Sequence, residues 1–143
     1  MAPTVRKPPN VSSRGKQVIE RILDYKLFTY NEVPSFLQEN PFITSGYRRF
    51  FSIKLSLYSL LRIHNETGNI YTHLGACFYF LYFFYTLYTS TWDQYTFALL
   101  IFYIGCSFCF LLSSTFHTFN NHSEDTCRTL LRCDFAGKLS PIF

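Results

Sequence analysis

Ser113 and His117 stand four residues apart, near the end of an uncharged stretch running from Gln94 to Ser123. On a helix that spacing puts both on one face. A neutral imidazole at such a place must find a partner, and a zinc ion or an interhelical hydrogen bond would each satisfy a ring nitrogen. Asp134 opens a further apolar segment, DFAG (Asp134 to Gly137). Packed alongside, it would hydrogen-bond His117 or a metal-bound water, lowering the cost of desolvating both groups. One His and one Asp do not make a catalytic zinc site, which takes three protein ligands and a water. His122, five residues past His117, falls off the shared face.

The segment HNETGNIYTH (His64 to His73) is unusually polar for the threshold of an apolar helix. With a helix starting just before Tyr71, the side chains of Asn69, Thr72 and His73 share helical spacing and point together, and Glu66 lies one turn earlier. Two readings stand. Glu66 and Asn69 cap a helix and His73 is an interfacial donor, or these groups line a functional mouth at the membrane surface.

The elements that must position these groups follow from charge and hydropathy. Two runs lack any charged side chain, the 26 residues from Thr67 to Trp92 and the 30 from Gln94 to Ser123, separated only by Asp93. At about 1.5 Å per residue, each can cross the roughly 30 Å hydrocarbon core of a bilayer as a helix. With 17 Phe, 11 Tyr and 15% charged residues among 143, the composition disfavours the alternative of a soluble all-α domain with two buried helices. The expected fold is therefore an all-α membrane protein: a transmembrane helical hairpin plus the start of a third helix.

Boundaries follow. Residues 1–17 are a polar, proline-containing cytosolic tail expected to be disordered. Residues 18–70 form a cytosolic and interfacial region. In it Val18, Ile19, Ile22 and Leu23 predict a short amphipathic helix ending near Asp24 or Tyr25, and Pro34–Gln38 another. From about Arg49 to Ile63, Phe50, Ile53, Leu57, Leu60 and Leu61 share a face, as in a helix lying in the interface plane or one covering the mouth of a bundle. Residues 71–89 form the first span, 90–96 a short extracellular or luminal connector, and 97–117 the second span, antiparallel to the first. Residues 118–132 are expected to be a cytosolic loop, and 133–143 an incomplete third span.

Residues 1–70 hold ten Lys or Arg against five acids, whereas 71–143 hold three against four. Basic segments before and after the hairpin belong on the cytosolic side, so the N-terminus is cytosolic and the first span is an uncleaved signal anchor. The same asymmetry is a topology signal and not a nucleic-acid footprint. Arg48, Arg49, Lys54 and Arg62 would contact anionic lipid headgroups. Cys106 and Cys109 form a C-x-x-C pair inside an apolar run without a second thiol pair, and read as small packing residues.

With ENPFITSGYR (Glu39 to Arg48), RIHNETGNIYTH (Arg62 to His73), SSTFHTFNNHSEDTCR (Ser113 to Arg128) and DFAG (Asp134 to Gly137), the chain resembles the progestin and adipoQ receptor family, also called haemolysin-III related. The likeness covers roughly residues 26–137 and is to the branch of adiponectin receptors and their fungal relatives. It implies the N-terminal part of a seven-helix bundle with a cytosolic N-terminus. It also implies one zinc held by a His of the second helix and two from an H-x-x-x-H in the seventh, with a Ser and an Asp close by. By that pattern His117 is the metal ligand, and Ser113 and Asp134 are the catalytic-site residues. Animal relatives are described as receptors with ceramidase activity, fungal ones as acting in zinc and lipid homeostasis.

The resemblance implies an integral protein of the plasma membrane or endoplasmic reticulum, with membrane lipids, ceramide or another sphingolipid, as partners. After Gly137 the family continues with an apolar helix, whereas this chain reads KLSPIF. The expectation is a truncated form, lacking two of three zinc ligands and inactive as it stands. The alternative is a non-enzymatic hairpin that forms homo- or hetero-oligomers with full-length relatives.

Overall fold

The computed structural model describes residues 25–139. The expected helix at Val18–Leu23 and the tail before it lie outside the described residues, as does the end of the chain past Leu139.

The chain from Phe28 to Tyr47 folds into a small unit of its own. Strand β1 (Phe28–Thr29) pairs antiparallel with β2 (Ser45–Tyr47), Phe28 opposite Tyr47 and Thr29 opposite Ser45, with a bulge between. Two 3-10 turns, Tyr30–Glu32 and Ser35–Leu37, connect them. The expected helix at Pro34–Gln38 is thus a single turn, with Pro34 at its cap position. Val33, Leu37 and Tyr47 form the core, with Phe28, Tyr30, Phe36 and Ile43 packed around it. Gln38 Nε2 donates to the Tyr30 and Val33 carbonyls at 2.8 and 2.9 Å, closing the loop. Gly46 fills the bulge with φ +88°, and an added Cβ would lie 3.3 Å from the Asn65 backbone nitrogen. That nitrogen donates to the Gly46 carbonyl at 2.9 Å, so the unit is fastened directly beside Glu66.

Helix α1 (Ile53–Ser59) starts at Ser52, whose hydroxyl accepts from the Leu55 N–H at 3.2 Å. It is shorter than the expected Arg49–Ile63 element. Phe50 adopts φ 51°, a left-handed conformation that no helix interior tolerates, and the chain past Ser59 tightens into turns.

Helix α2 (Thr67–Tyr88) begins four residues earlier than the 71–89 span read from the sequence, and α3 (Thr96–Phe119) extends past 97–117 at both ends. Asp93 Oδ1 accepts from the Tyr95 and Thr96 N–H groups at 3.0 and 2.9 Å, turning the connector into α3. The two helices pack antiparallel. Phe80 stacks on Phe110 with ring centroids 5.8 Å apart, and Ser114 Oγ donates to the Ile70 carbonyl at 3.3 Å. Among the described residues α3 is the one helix long and apolar enough to cross a membrane. Helix α2 is uncharged, but Tyr71, Tyr79, Tyr82, Tyr85 and Tyr88 lower its apolarity.

Helix α4 (Glu124–Leu139) replaces the loop expected at 118–132. Ser123 Oγ accepts from the Thr126 N–H at 3.2 Å, and Glu124 and Asp125 occupy the first turn, where acids suit the helix dipole. Helices α3 and α4 meet closely at Gly137, where a Cβ would lie 3.2 Å from Cys109 Cα and 3.1 Å from Leu112 Cδ1. The C-x-x-C cysteines are both free thiols, Cys106 buried and Cys109 part-buried, in keeping with a packing role.

Gly137→Val should therefore destabilise the detergent-solubilised protein by about 1–3 kcal/mol through overpacking. Gly75→Ala should be neutral or stabilising by about 0.5–1 kcal/mol, since nothing lies within 4 Å of its added methyl. Thermal unfolding followed by circular dichroism checks the opposite signs.

Candidate functional site

Where the chain enters α2 and leaves α3, Glu66 is buried and its carboxylate accepts from four donors. Oε2 meets His117 Nδ1 and Asn69 Nδ2, both at 2.9 Å; Oε1 meets Asn65 Nδ2 at 3.0 Å and Asn120 Nδ2 at 3.1 Å. Burial alone would raise this carboxyl. The hydrogen bonds from His117, Asn69 and Asn120 outweigh it and hold the group at about 2. Glu66 is the cap residue of α2 by position, but its side chain makes no capping bond. Of the two readings of this segment, capping by the Glu66 side chain does not hold. A cavity of about 240 Å³ opens beside it, lined by Glu39, Asn40, Tyr47, Asn65, Glu66 and Asn69 among others.

Arg48 sits behind this carboxylate, only 2% exposed. Its Nη2 donates to the His117 carbonyl at 2.6 Å and to Asn120 Oδ1 at 3.4 Å, and its Nη1 to the Thr118 carbonyl at 3.1 Å and Ser59 Oγ at 2.8 Å. The last turn of α3, whose carbonyls have no helical partner, is thereby capped by a cation. Asn120 joins the two charges, accepting from Arg48 and donating to Glu66. Burial lowers the Arg48 guanidinium to about 10, and the Glu66 charge opposes that shift. Arg48 is therefore no headgroup contact, which corrects the sequence reading for this residue.

His64 accepts the Glu66 N–H on Nδ1 at 3.1 Å and is held neutral, lowered to about 4 by burial and then by Arg48. His122 Nδ1 meets the Phe51 carbonyl at 2.8 Å, and Ser56 Oγ donates to Asn121 Oδ1 at 3.2 Å, fastening the α3–α4 turn onto α1.

The residues singled out from the sequence are distributed around this hub. His117 is part-buried, with Glu66 on Nδ1. An ionised carboxylate has only acceptor atoms, so Nδ1 carries the proton and a neutral ring keeps its lone pair on Nε2. Ser113 is buried, and its hydroxyl bonds His73 Nδ1 at 2.8 Å. The His73 and His117 rings stand 5.4 Å apart, edge to face. Asp134 is buried on the face of α4 that carries Gly137 toward α3. The sequence offers Asp134 as a hydrogen-bond partner for His117 or for a metal-bound water; the His117 Nδ1 position is taken by Glu66. Nothing in the sequence marks Arg48, Asn120 and Asn121 as members of the hub: a buried Arg48 and an exposed Arg49 are neighbours of one type.

His117 is the zinc ligand that the resemblance implies. Zinc sites take three or four protein ligands. Among the described residues no group of three or more His, Cys, Asp or Glu stands close enough to hold a metal. The residues present thus bring one oriented imidazole and do not fit a zinc centre by themselves.

Residues 61–140 match the model of the family described as haemolysin-III related. The chain is 39% identical over 121 residues to progestin and adipoQ receptor family member 3 of Homo sapiens, covering 78% of this chain and 38% of that protein. It is 30% identical over 135 residues to the adiponectin receptor protein of Drosophila melanogaster, covering 90% and 30%. To the ADIPOR-like receptor IZH2 of Saccharomyces cerevisiae it is 32% identical over 140 residues, covering 90% and 41%. The chain thus spans well under half the length of these relatives.

Two outcomes follow for the hub. Arg48→Met leaves Glu66 without its counter-charge and should cost about 3–5 kcal/mol, while adding Glu66→Gln should recover part of that loss. Acid should also destabilise the fold. A depressed folded-state value favours the folded protein above the unfolded value, and that stability is lost as pH falls toward the folded value. For His64 the window runs from 6.5 down to about 4, and for Glu66 from 4.5 down to about 2. His64→Asn keeps an acceptor for the Glu66 N–H without titrating, and should flatten the upper window in a pH series of melting curves.

Proposed function

Because the chain belongs to the haemolysin-III-related family, in its adiponectin-receptor branch, we propose that it is a membrane component of lipid signalling and of zinc and lipid homeostasis. In this reading α2 crosses the bilayer beside α3, α4 begins a third crossing, and the basic N-terminal region faces the cytosol. The observation that carries it is the part-buried Glu66–His117 pair at the end of α3, a carboxylate-backed imidazole of the sort that metal sites use. An apolar groove of about 470 Å³ between α2 and α3, lined by Cys77, Leu81, Ile101, Gly105, Phe108 and Leu111 among others, has the chemistry an acyl chain fills.

The finer activity is hydrolysis of a ceramide-like lipid amide. Zinc, when bound, would polarise the amide carbonyl and lower the pKa of a water. Toward that centre this chain contributes His117 as ligand, Glu66 to fix its tautomer, and the buried Asp134 and Ser113 as groups able to orient or hold a proton. The remaining imidazoles in the family pattern come from an H-x-x-x-H, which this sequence does not contain. A second reading is a non-enzymatic hairpin that packs with full-length relatives; the single oriented imidazole among the described residues is what supports it.

The purified chain should hold well under one zinc per molecule by metal analysis and release no fatty acid from ceramide. One zinc per chain that disappears with His117→Ala would contradict this, and would place the missing ligands in a second copy.

A further inference from the structure

Helix α1 is inside out for a helix in water. Its inward side chains Ser56 and Ser59 are fully buried, bonded to Asn121 and Arg48. Outward it carries Ile53 and Leu57, 56% and 49% exposed, beside Lys54, and Leu61, 73% exposed, follows in the turn past Ser59. Phe50 and Ile63 extend the stripe at either end. A helix whose solvent is water turns such a stripe inward. Polar groups inside and a contiguous apolar face outside mark a surface meant for an apolar medium.

The height of α1 fits that medium. Tyr71, one turn into α2, donates its hydroxyl to the Leu60 carbonyl at 2.7 Å. The end of α1 is therefore level with the first turn of a helix that, on the proposed function, crosses the bilayer. Tyrosines at that level suit the headgroup region.

Charge selects the kind of lipid. From Tyr47 to Asn65 the chain holds four cations, Arg48, Arg49, Lys54 and Arg62, and no acid. Arg48 is taken up inside the hub, but Arg49 and Lys54 are exposed at the rim of the stripe. The Arg49 guanidinium lies 5.2 Å from the Phe50 ring centre and the Lys54 ammonium 5.8 Å from that of Tyr58. Long cationic side chains laid along aromatic faces keep their heads at the polar boundary while their stems stay with the apolar surface. Phe50 holds its half-exposed ring at a strained φ of 51° while its neighbour Phe51 is buried, so the backbone itself separates the outward side chain from the inward one.

We infer that α1, with Phe50 and Ile63, lies in the leaflet at this end of the hairpin and that Arg49 and Lys54 recruit anionic phospholipid there. The inference rests on the membrane-spanning reading of α2 and α3. The bilayer's own anionic lipids are the ligand, on a face outside the Glu66–His117 hub.

The test uses the whole chain in nanodiscs, with Trp92→Phe removing the single native indole. Leu57→Trp reports on α1 and Phe108→Trp on the lipid-facing side of α3. Both indoles should be quenched by phosphatidylcholine brominated on its acyl chains. Moving the bromine to phosphatidylserine at the same mole fraction should deepen quenching of the α1 probe alone. A local enrichment of about fivefold per cation corresponds to the attraction expected for a basic side chain near an anionic surface. Arg49→Gln with Lys54→Gln should abolish the enrichment and leave the phosphatidylcholine quenching intact.

Three results would overturn the inference. Equal quenching by the two lipids removes the anionic preference. An α1 indole reached by aqueous iodide and not by bromolipid, with Phe108→Trp still quenched, removes the docking and leaves the spanning reading in place. Loss of quenching at Phe108→Trp removes both.

Discussion

An ionised carboxylate held away from water is the constraint around which this chain is arranged. Desolvating Glu66 is costly, and the fold meets the cost by bringing donors from two separate stretches of sequence: Asn65 and Asn69 beside it, and His117 and Asn120 from the far end of α3. Each of those bonds fixes more than the carboxylate. The His117 bond orients a ring, and the Asn120 bond carries the charge on to Arg48. Arg48 in turn caps α3 and reaches Ser59 of α1. Removing the negative charge from the centre would leave a buried cation and several amides without the partner that aligned them.

The same constraint explains why polarity is so unevenly distributed. Away from the hub, α2 and α3 meet through aromatic stacking and small residues, with hydroxyls such as Ser107 and Thr115 bonded back to their own helix carbonyls. That is the inventory expected where hydrocarbon offers no hydrogen bonds and association depends on close packing. At the hub end, the Phe28–Tyr47 unit and α1 cover the helix ends, fastened through Gly46 to Asn65 and through Ser59 to Arg48. The polar core is thus a layer set against the apolar helix pair, and His117 stands at that boundary.

Much of this was legible in the sequence for physical reasons. Uncharged runs of spanning length fixed α2 and α3, and a connector of a few residues fixed their antiparallel pairing. Boundaries were less legible. The polar Thr67–Ile70 turn reads as a loop until its long-range partners are known, so α2 was placed four residues late. The Ser123 cap followed by Glu124 and Asp125 is a local signal for α4 that the loop reading of 118–132 did not use. His117 and Ser113 stood out through helical spacing, and Asp134 as an acid in an apolar context. Glu66 stood out only as one of two alternatives, because its role depends on residue 117, some fifty positions away. No local pattern distinguishes Arg48, buried in the hub, from Arg49, exposed on the surface.

Glu66 is a carboxylate, and it makes His117 Nδ1 the protonated ring nitrogen. Nitrogen-15 spectra of histidine-labelled protein in nanodiscs, with His117→Ala used to assign the signal, read that tautomer directly. His117 should show a protonated Nδ1 that becomes mobile or changes tautomer in Glu66→Gln. An unprotonated Nδ1 in the unmodified chain, or a ring indifferent to Glu66→Gln, would contradict it.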